Sequence, residues 1–458
     1  TTAPASAAVH ETAPRLPGST QSLPLVPLTS PGGDTGAEQS GDPVPLGLPA
    51  RDIEPFALLG AVWDDPDEEP RGRIQVRTRA AGTGDWSPWR ELESHADRPD
   101  PGSPADGETA PRGATAPLWV GDADGVQARF LLGPDDPDGD GPDGGGPDGG
   151  GPDGGGPDGG HPLPGGLRLD LVHPGDDPPP GDDSSGGLTP QDRDSSAANA
   201  GLAPLGALEI PAQDGETGEE EAREGEPPRA GTPAERDTGG RDRGPGVVRA
   251  EKPYARVQAP IGPRPGIVTR RGWGADERLR GPFLYTGTVK AAFVHHTAMS
   301  NSYTCGQSAS VIRAVYRYHV ISNGWRDVGY NFFVDKCGKI FEGRAGGVAR
   351  PVKGAHTLGF NDNSTGIAVL GSYGATRPTR AAVEGVAKLL GWKLGLHGVN
   401  PRGTAVLTSA GGKYRKGARV RLRTVAGHRD GAYTTCPGDR LYRELPGIRT
   451  LAARLQGR

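Results

Sequence analysis

Residues 289–297 read Val-Lys-Ala-Ala-Phe-Val-His-His-Thr, a short run of apolar and β-branched residues that ends in two histidines. Its length and composition predict a buried β-strand over Val289–His295. Beyond it, helix-like and strand-like patterns alternate along the chain. Helices are predicted at 308–320, 380–396 and 440–455, and strands at 330–334, 339–342 and 365–370. This mixture predicts an α/β or α+β fold for the C-terminal part of the chain.

The rest of the chain has a different composition. Glycine (76 residues) and proline (47 residues) make up more than a quarter of the 458 residues, as in chains with low-complexity segments. Short strand-like runs separated by turn residues predict a small all-β domain in the N-terminal half. We therefore predict a disordered arm at 1–51, a small β domain at 52–173 with a Gly/Pro/Asp-rich insertion at 134–161, a long disordered charged linker at 174–263, and a folded catalytic candidate domain at 264–458.

The predicted β domain contains four of the seven tryptophans, namely Trp63, Trp86, Trp89 and Trp119. Exposed tryptophans that stack on sugars would make this domain a carbohydrate-binding module. In a small β domain, however, tryptophans more often belong to the core. We expect core positions, and the binding alternative stays open.

Charge and hydropathy limit the partners of the chain. The formal net charge is −6 and acidic residues cluster outside the C-terminal third, so no basic face predicts nucleic-acid binding. The sequence contains no run of about 18 or more apolar residues, so it predicts no membrane span. The chain begins Thr1-Thr2-Ala3, which fits an exported protein after removal of its signal, although an edited sequence would look the same. Nothing in the sequence indicates the oligomeric state.

Three residues form a candidate metal site: His295 at the end of the predicted strand, His428, and Cys436 eight residues later. Imidazole nitrogen and thiolate are ligands that zinc favours, and three protein ligands with an open fourth position are typical of a catalytic site. A water in that position has a pKa near about 7 and hydrolyses carbonyl compounds. On spacing alone, core histidines and an idle thiol are the more common explanation.

Several further motifs, in their order and spacing, resemble the type 2 N-acetylmuramoyl-L-alanine amidase and peptidoglycan recognition protein family. The motifs are Gly272-Trp273-Gly274-Ala275, Val294-His295-His296-Thr297, the run Gly-Trp-Arg-Asp-Val-Gly-Tyr-Asn-Phe at 324–332, Glu342-Gly343-Arg344, Gly354-Ala355-His356, Gly359-Phe360-Asn361 and Gly427-His428-Arg429-Asp430. The resemblance covers roughly 270–455, which is less than half of the chain.

The resemblance implies a central mixed β-sheet flanked by helices, with Zn²⁺ held in a cleft by His295, His428 and Cys436. It also implies a secreted, wall-associated hydrolase of the amide bond between N-acetylmuramic acid and L-alanine in peptidoglycan. Tyr330 falls where active members keep a tyrosine beside the developing oxyanion. Members that only bind peptidoglycan typically lose the cysteine or another ligand. A non-catalytic recognition protein is therefore the alternative function, and a mostly disordered wall spacer is a further one.

The same motifs suggest roles for other residues. Thr434 stands where phage-type members carry lysine and recognition-protein-type amidases carry threonine, and its hydroxyl is expected to donate a hydrogen bond to the oxyanion. His356 either lines the cleft or has a structural hydrogen-bonding role. Arg344 and Asn361 are candidates for substrate binding, with turn and fold-supporting roles as the alternative. His296 follows a ligand on a strand, so its side chain should point to the opposite face.

With Cys436 assigned to zinc, two cysteines remain, Cys305 and Cys337. In an exported protein this pair can oxidise to a disulfide. The bridge would brace the loop that follows His295. Two free buried thiols are the alternative.

Overall fold

The computed structural model describes residues 18–28, 46–68, 70, 72–93, 97–100, 110–132, 163–177, 188–213 and 260–458. These residues form an eight-stranded sheet, a seven-stranded sheet and a two-stranded ribbon, with helices around the second sheet. The predicted insertion at 134–161 lies outside the described residues. Across the described ranges, no helix is both long and apolar enough to cross a membrane.

The N-terminal part is all-β, as predicted. Its strands are β1 (Ser19–Pro24), β2 (Val26–Pro27), β3 (Leu46–Trp63), β4 (Gly72–Ala80), β5 (Arg90–Glu91), β6 (Gly113–Ala114), β7 (Leu118–Leu132) and β8 (Arg168–His173). They pair antiparallel in the order β1-β8-β3-β7-β4-β5, with β2 and β6 added beside β3. The alternating apolar residues of these strands form a hydrophobic core that includes Leu59, Val126 and Leu169.

The prediction of a disordered arm over 1–51 is wrong for the residues that the structure describes there. β1 pairs with β8 along its whole length, and β3 begins at Leu46. An edge strand is held by backbone hydrogen bonds to its neighbour, so it needs little apolar sequence of its own. Leu23 and Leu25 nevertheless pack against the core of this sheet.

The prediction of a disordered linker over 174–263 is also wrong in part, because residues 188–213 fold onto the C-terminal domain. Helix α1 (Pro190–Ala197) begins at a capping box formed by Thr189 and Asp192. A short strand, β9 (Glu209–Ile210), then pairs antiparallel with β10 (Ile267–Val268) and forms an edge of the second sheet. Composition predicts disorder when a segment cannot bury apolar surface by itself, but here a folded surface next to it supplies the partners.

The C-terminal part is a seven-stranded mixed sheet flanked by helices, which confirms the predicted α/β fold. Its remaining elements are α2 (Arg270–Trp273), β11 (Ala291–His296), α3 (Ser308–Arg317), β12 (Phe332–Val334), β13 (Ile340–Glu342), β14 (Ser364–Val369), α4 (Arg380–Leu396), β15 (Thr404–Thr408), β16 (Arg419–Arg423), β17 (Val425–Gly427), α5 (His428–Gly431) and α6 (Asp439–Leu455). The strand order is β17-β11-β14-β12-β13-β10-β9, and β15 pairs with β16 as a separate ribbon.

Successive residues of one strand show how the helices cover this sheet. Phe332 and Val334 of β12 belong to a core with residues of α4 and α6, whereas Phe333 between them belongs to a core with residues of α3. Successive strand residues point to opposite faces, so α4 and α6 cover one face and α3 covers the other. Both faces of the sheet are therefore buried.

The two sheets are joined by a shared hydrophobic core. Leu58 and Trp119 of the first sheet belong to the same buried cluster as Val311 and Tyr318 of the second domain. The Tyr318 hydroxyl lies 3.2 Å from the carbonyl oxygens of both Ala61 in β3 and Thr115 just after β6, and so hydrogen-bonds to the first sheet. This packing sets the position of the first domain against the second.

Gly60 of β3 makes this close approach possible. A Cβ atom at Gly60 would lie 2.1 Å from the hydroxyl oxygen of Tyr318. Heavy atoms at that separation overlap, so a larger residue would push β3 away from the buried side chain of Tyr318. The absence of a side chain at this position is therefore a requirement of the contact between the domains.

The predicted tryptophan core is half right. Trp63 and Trp119 are buried, with 5% and 4% of their surface exposed. Trp86 and Trp89 are partly exposed and lie beneath arginine side chains. The guanidinium of Arg129, for example, lies 4.2 Å from the centroid of the Trp89 ring. An alternating sequence pattern does not show whether a sheet face packs against a hydrophobic core or is covered only by long side chains such as arginine.

We expect Asn199 to anchor residues 188–213. Its Nδ2 donates to Oε1 of Glu342 and its Oδ1 accepts from the backbone N–H of Val348, both at 2.9 Å. Burial raises the pKa of Glu342 to about 7. The substitution Asn199→Ala removes both bonds from buried partners and should lower the free energy of unfolding by about 1–3 kcal/mol, measured by urea denaturation.

Gln191→Ala is the matched control, because Gln191 is an exposed residue of α1 in the same segment. It should change the free energy of unfolding by less than about 0.5 kcal/mol. Equal urea midpoints for Asn199→Ala and Gln191→Ala would contradict the anchoring role of Asn199.

Candidate metal centre

Parallel strand pairing brings two of the predicted ligands together. β11 and β17 are parallel neighbours, with Val294 opposite Gly427. His295 follows Val294 and His428 follows Gly427. The two histidines therefore lie next to each other at the carboxyl ends of these parallel strands. Their imidazole ring centroids are 4.4 Å apart. Both side chains are buried, with exposures of 0% and 1%.

Cys436 reaches the same point from the loop after α5. Its Sγ lies 3.9 Å from Nδ1 of His295 and accepts a hydrogen bond from the backbone N–H of His296 at 3.4 Å. Donor atoms of His295, His428 and Cys436 all lie within 4.8 Å of one another. The three residues predicted as ligands are thus gathered around one point.

The chemistry of this donor set fits zinc. Two imidazoles and one thiol are a combination found in catalytic zinc sites, and their separations allow one ion to contact all three. Burial raises the pKa of the Cys436 thiol well above its usual range. A bound divalent cation acts in the opposite direction, because a coordinating thiol loses its proton. His295, His428 and Cys436 would hold the ion.

His428 is held in place by the remainder of its motif. Asp430 accepts a hydrogen bond from the backbone N–H of Gly427 at 2.9 Å and one from the Tyr442 hydroxyl at 2.7 Å. These bonds fix the first turn of α5 onto the end of β17 and onto α6. The aspartate of the Gly-His-Arg-Asp motif therefore has a positioning role.

His356 lies behind His295. Its Nδ1 is 3.3 Å from Nε2 of His295 and 3.0 Å from the hydroxyl of Thr357. Burial lowers the pKa of His356 well below its usual range, so the ring is neutral. A neighbour on the nitrogen away from the metal fixes the tautomer and orientation of a histidine ligand. The sequence leaves two roles open for His356, and its contacts agree with the structural hydrogen-bonding role.

Tyr330 stands beside the donor set. Its ring centroid is 5.3 Å from that of His295, and its side chain is 1% exposed. Its hydroxyl donates a hydrogen bond of 2.6 Å to Oδ2 of Asp97. Burial raises the pKa of Tyr330 well above its usual range, so the hydroxyl keeps its proton and acts as a donor.

Thr434 lies at the rim of the site. It is partly exposed, and its hydroxyl oxygen accepts a hydrogen bond from the backbone N–H of Cys436 at 3.1 Å. This bond shapes the loop that presents the thiol. The hydroxyl proton of Thr434 still has a donor direction of its own, as an oxyanion-binding role requires.

Arg344 supports the fold around the site. Its guanidinium donates to the backbone carbonyls of Val328, Asp327 and Lys353, at 2.9, 3.2 and 2.9 Å. These bonds are the fold-supporting role that the sequence leaves open for Arg344.

Asn361 joins two parts of the molecule. Its Oδ1 accepts from the backbone N–H groups of His356 and Thr357, at 2.7 and 3.0 Å. Its Nδ2 donates to the carbonyl of Arg98 and to Oδ1 of Asp100, both at 3.0 Å. Asn361 thus shapes the turn that carries His356 and presents a donor to the cleft.

His296 points away from the centre, as predicted. Its Nδ1 accepts a hydrogen bond from the backbone N–H of Tyr373 at 3.2 Å. The predicted disulfide is also confirmed: Cys305 and Cys337 are bridged, with their Cα atoms 6.3 Å apart. The bridge ties the loop after β11 to the turn between β12 and β13.

The residue that sequence reasoning missed is Asp97. Its Oδ1 lies 3.3 Å from Nδ1 of His295 and 3.2 Å from Nδ1 of His428, and the residue is 3% exposed. Asp97 comes from the N-terminal domain, between β5 and β6. It lies in a turn-rich stretch with several other acidic residues, and no local pattern separates it from them.

We expect His356→Ala to weaken metal binding although it removes no predicted ligand. Without its neighbour, the His295 ring loses the contact that fixes its orientation, and such changes cost about 10–100-fold in metal affinity. Zn²⁺ affinity of the full chain is measured by competition with a chromogenic chelator. His397→Gln is the control, because His397 contacts Thr288 rather than the donor set. Equal affinities for both variants would contradict the positioning role.

Two family models match the chain. The one described as "N-acetylmuramoyl-L-alanine amidase" matches residues 285–439, and the one described as "Rv3811 N-terminal galactose-binding domain-like" matches residues 8–145. The first match contains the whole candidate metal centre except Asp97. The second contains Asp97.

Curated relatives match the C-terminal domain. Peptidoglycan-recognition protein SC1a of Drosophila melanogaster is 32% identical over 184 residues, which cover 40% of this chain and 84% of that protein. Human N-acetylmuramoyl-L-alanine amidase is 33% identical over 182 residues, which cover 39% of this chain and 27% of the human protein's length. A crystal structure of peptidoglycan recognition protein-LE in complex with tracheal cytotoxin is 28% identical, with 40% of this chain and 92% of that chain covered and a TM-score of 0.31. The chain therefore belongs to the N-acetylmuramoyl-L-alanine amidase and peptidoglycan recognition protein family.

Proposed function

We propose that this chain is a zinc-dependent amidase that hydrolyses the bond between the lactyl group of N-acetylmuramic acid and L-alanine in peptidoglycan. The observation that carries the proposal is the convergence of His295, His428 and Cys436 on one point with the hydroxyl of Tyr330 beside them. The family contains amidases and recognition proteins, so membership alone does not choose between them. A complete donor set with an adjacent hydroxyl donor favours catalysis.

The protein side chains have distinct tasks in this reaction. A zinc ion at the centre would act as a Lewis acid toward the scissile carbonyl and activate the attacking water. Tyr330 keeps its proton and would donate a hydrogen bond to the oxygen of the carbonyl as negative charge develops there. Thr434 would supply a second, uncharged donor from the rim. His356 holds the ring of His295 and so the geometry of the ligands.

The site of action follows from the same chemistry. Peptidoglycan lies outside the cell membrane, so we propose that the chain is exported and acts at the wall. The disulfide between Cys305 and Cys337 supports this, because such bridges persist in oxidising compartments and are rare in the cytosol.

The test is release of new amino-terminal alanine from purified peptidoglycan by the full chain loaded with Zn²⁺. Wild type and Asp97→Ala are assayed side by side, because the Asp97 carboxylate lies among the donors. Release should stop with a chelator, return with added Zn²⁺ and be abolished by Cys436→Ala. If both chains bind peptidoglycan at full zinc occupancy and neither releases alanine, the protein is a recognition protein instead.

Tyr330→Phe tests the proposed oxyanion donor. Loss of one such hydrogen bond should lower kcat by about 10²–10³-fold with little change in KM, because the bond strengthens only in the transition state. Tyr285→Phe is the control, since the Tyr285 hydroxyl donates to the backbone carbonyl of Gly346. A Tyr330→Phe chain with the kcat of Tyr285→Phe would refute the role of Tyr330. The comparison is made in the Asp97→Ala background as well, where the hydroxyl no longer bonds Asp97.

A further inference from the structure

We propose that Asp97 is a fourth protein ligand of the metal, and that residues 97–100 fill the part of the cleft where substrate must enter. The chain described here would then be a closed form whose catalytic position is taken by its own N-terminal domain. The inference rests on the proposed metal site, but the metal-coordination test below does not depend on amidase activity.

Oδ1 of Asp97 lies at ligand-like separations from the two histidines of the donor set. Four donors arranged tetrahedrally around zinc, at about 2.0–2.3 Å from it, lie about 3.3–3.6 Å from one another. Oδ1 of Asp97 lies 3.3 Å from Nδ1 of His295 and 3.2 Å from Nδ1 of His428. Sγ of Cys436 lies 3.9 Å from the same nitrogen of His295. These three separations agree with the tetrahedral values to within a few tenths of an ångström, while the donor atoms of His295, His428 and Cys436 taken together lie within 4.8 Å of one another.

Charge balance supports the same assignment. Asp97 is 3% exposed, and a buried carboxylate is costly unless it is paired or coordinates a metal. Together the Asp97 carboxylate and the Cys436 thiolate carry two negative charges, which one divalent cation neutralises. The second carboxylate oxygen of Asp97 accepts the hydrogen bond from Tyr330, as a monodentate metal ligand allows. Asp97 thus takes the fourth coordination position of the metal and also accepts the hydrogen bond of the Tyr330 hydroxyl.

The residues that follow Asp97 occupy further donors of the cleft. Oδ1 of Asp100 accepts from the backbone N–H of Gly359 at 2.7 Å and from Nδ2 of Asn361 at 3.0 Å. Nδ2 of Asn361 also donates to the carbonyl of Arg98. The segment therefore offers carboxylates and a peptide carbonyl to the cleft, the same acceptor types that a peptide substrate carries.

The N-terminal domain holds the segment there. Besides the shared hydrophobic core, the side chain of Arg112 donates to the carbonyls of Ile321 and Ser322, and its backbone N–H donates to the carbonyl of Asn323. A cavity of about 330 Å³ remains beside Asp97 and is lined by both domains, including Trp63 of the first and Trp325 of the second. The cleft is closed at the metal centre and keeps space next to it.

Cobalt coordination in the full chain tests the ligand assignment. Wild type, Asp97→Ala and the control Asp85→Ala are loaded with Co²⁺ in place of Zn²⁺, and azide is titrated while the visible absorption of Co²⁺ is recorded. Asp85 is an exposed residue of the same domain. Azide should bind Asp97→Ala at least about 10-fold more tightly than the other two, because only that variant has an open position. Zn²⁺ extraction by a chelator should also be at least about 10-fold faster from Asp97→Ala.

Asp100→Ala provides a second variant that keeps the Asp97 carboxylate. It removes the bonds to Gly359 and Asn361, so azide should bind it more tightly than wild type and less tightly than Asp97→Ala. Equal azide affinities for wild type and Asp97→Ala, or a wild-type chain that binds no Co²⁺, would overturn the proposal. Alanine release is measured in parallel and should be faster for Asp97→Ala than for wild type. If the cobalt results are as expected and no chain releases alanine, the amidase proposal fails and the ligand assignment stands.

Discussion

Parallel pairing of β11 with β17 is the constraint on which the candidate metal centre depends. The register that places Val294 opposite Gly427 carries His295 and His428 to one edge of the sheet, although 132 positions of chain (428 − 295 − 1) separate them. β14 pairs with β11 on its other side and makes it an internal strand. An internal strand buried on both faces has little freedom to move, so His295 at the end of β11 is held firmly. His428 follows the edge strand β17 and is held by the hydrogen bonds that Asp430 accepts from Gly427 and Tyr442.

A buried ion network holds the chain segment that leads into Tyr330. Arg270 is 1% exposed and donates to Glu277 at 2.7 Å and to Asp327 at 3.1 Å. Asp327 in turn accepts from the backbone N–H groups of Val328 and Ala345. Each buried charge in this network has a partner, which is the condition under which such groups are tolerated inside a protein. Asp327 of the motif at 324–332 therefore holds the backbone two residues before Tyr330.

The N-terminal domain adds a carboxylate to the candidate metal centre. Considered alone, the C-terminal domain brings three predicted metal ligands together, namely His295, His428 and Cys436. With the N-terminal domain packed on α3 and on Tyr318, a carboxylate from outside the C-terminal domain lies beside two of these residues, His295 and His428. The shared core buries apolar surface of both sheets, and Gly60 lets them approach closely. The packing between the two domains thus determines where Asp97 lies.

Local sequence was sufficient for much of this protein. The apolar run before His295 and the helix-like spacing of 380–396 depend on residues close together in the chain, so they predicted the α/β domain. The donor set of His295, His428 and Cys436 was predicted from the ligand types together with the family motifs over 270–455, because the spacing of the three residues alone favoured core histidines and an idle thiol. Tertiary structure alone decided three other features: the edge strands formed by residues 19–24 and 209–210, the place of His356 behind His295, and the insertion of Asp97 among the ligands. Each of these features depends on surface supplied by a distant part of the chain, and the sequence pattern of one segment does not identify that partner.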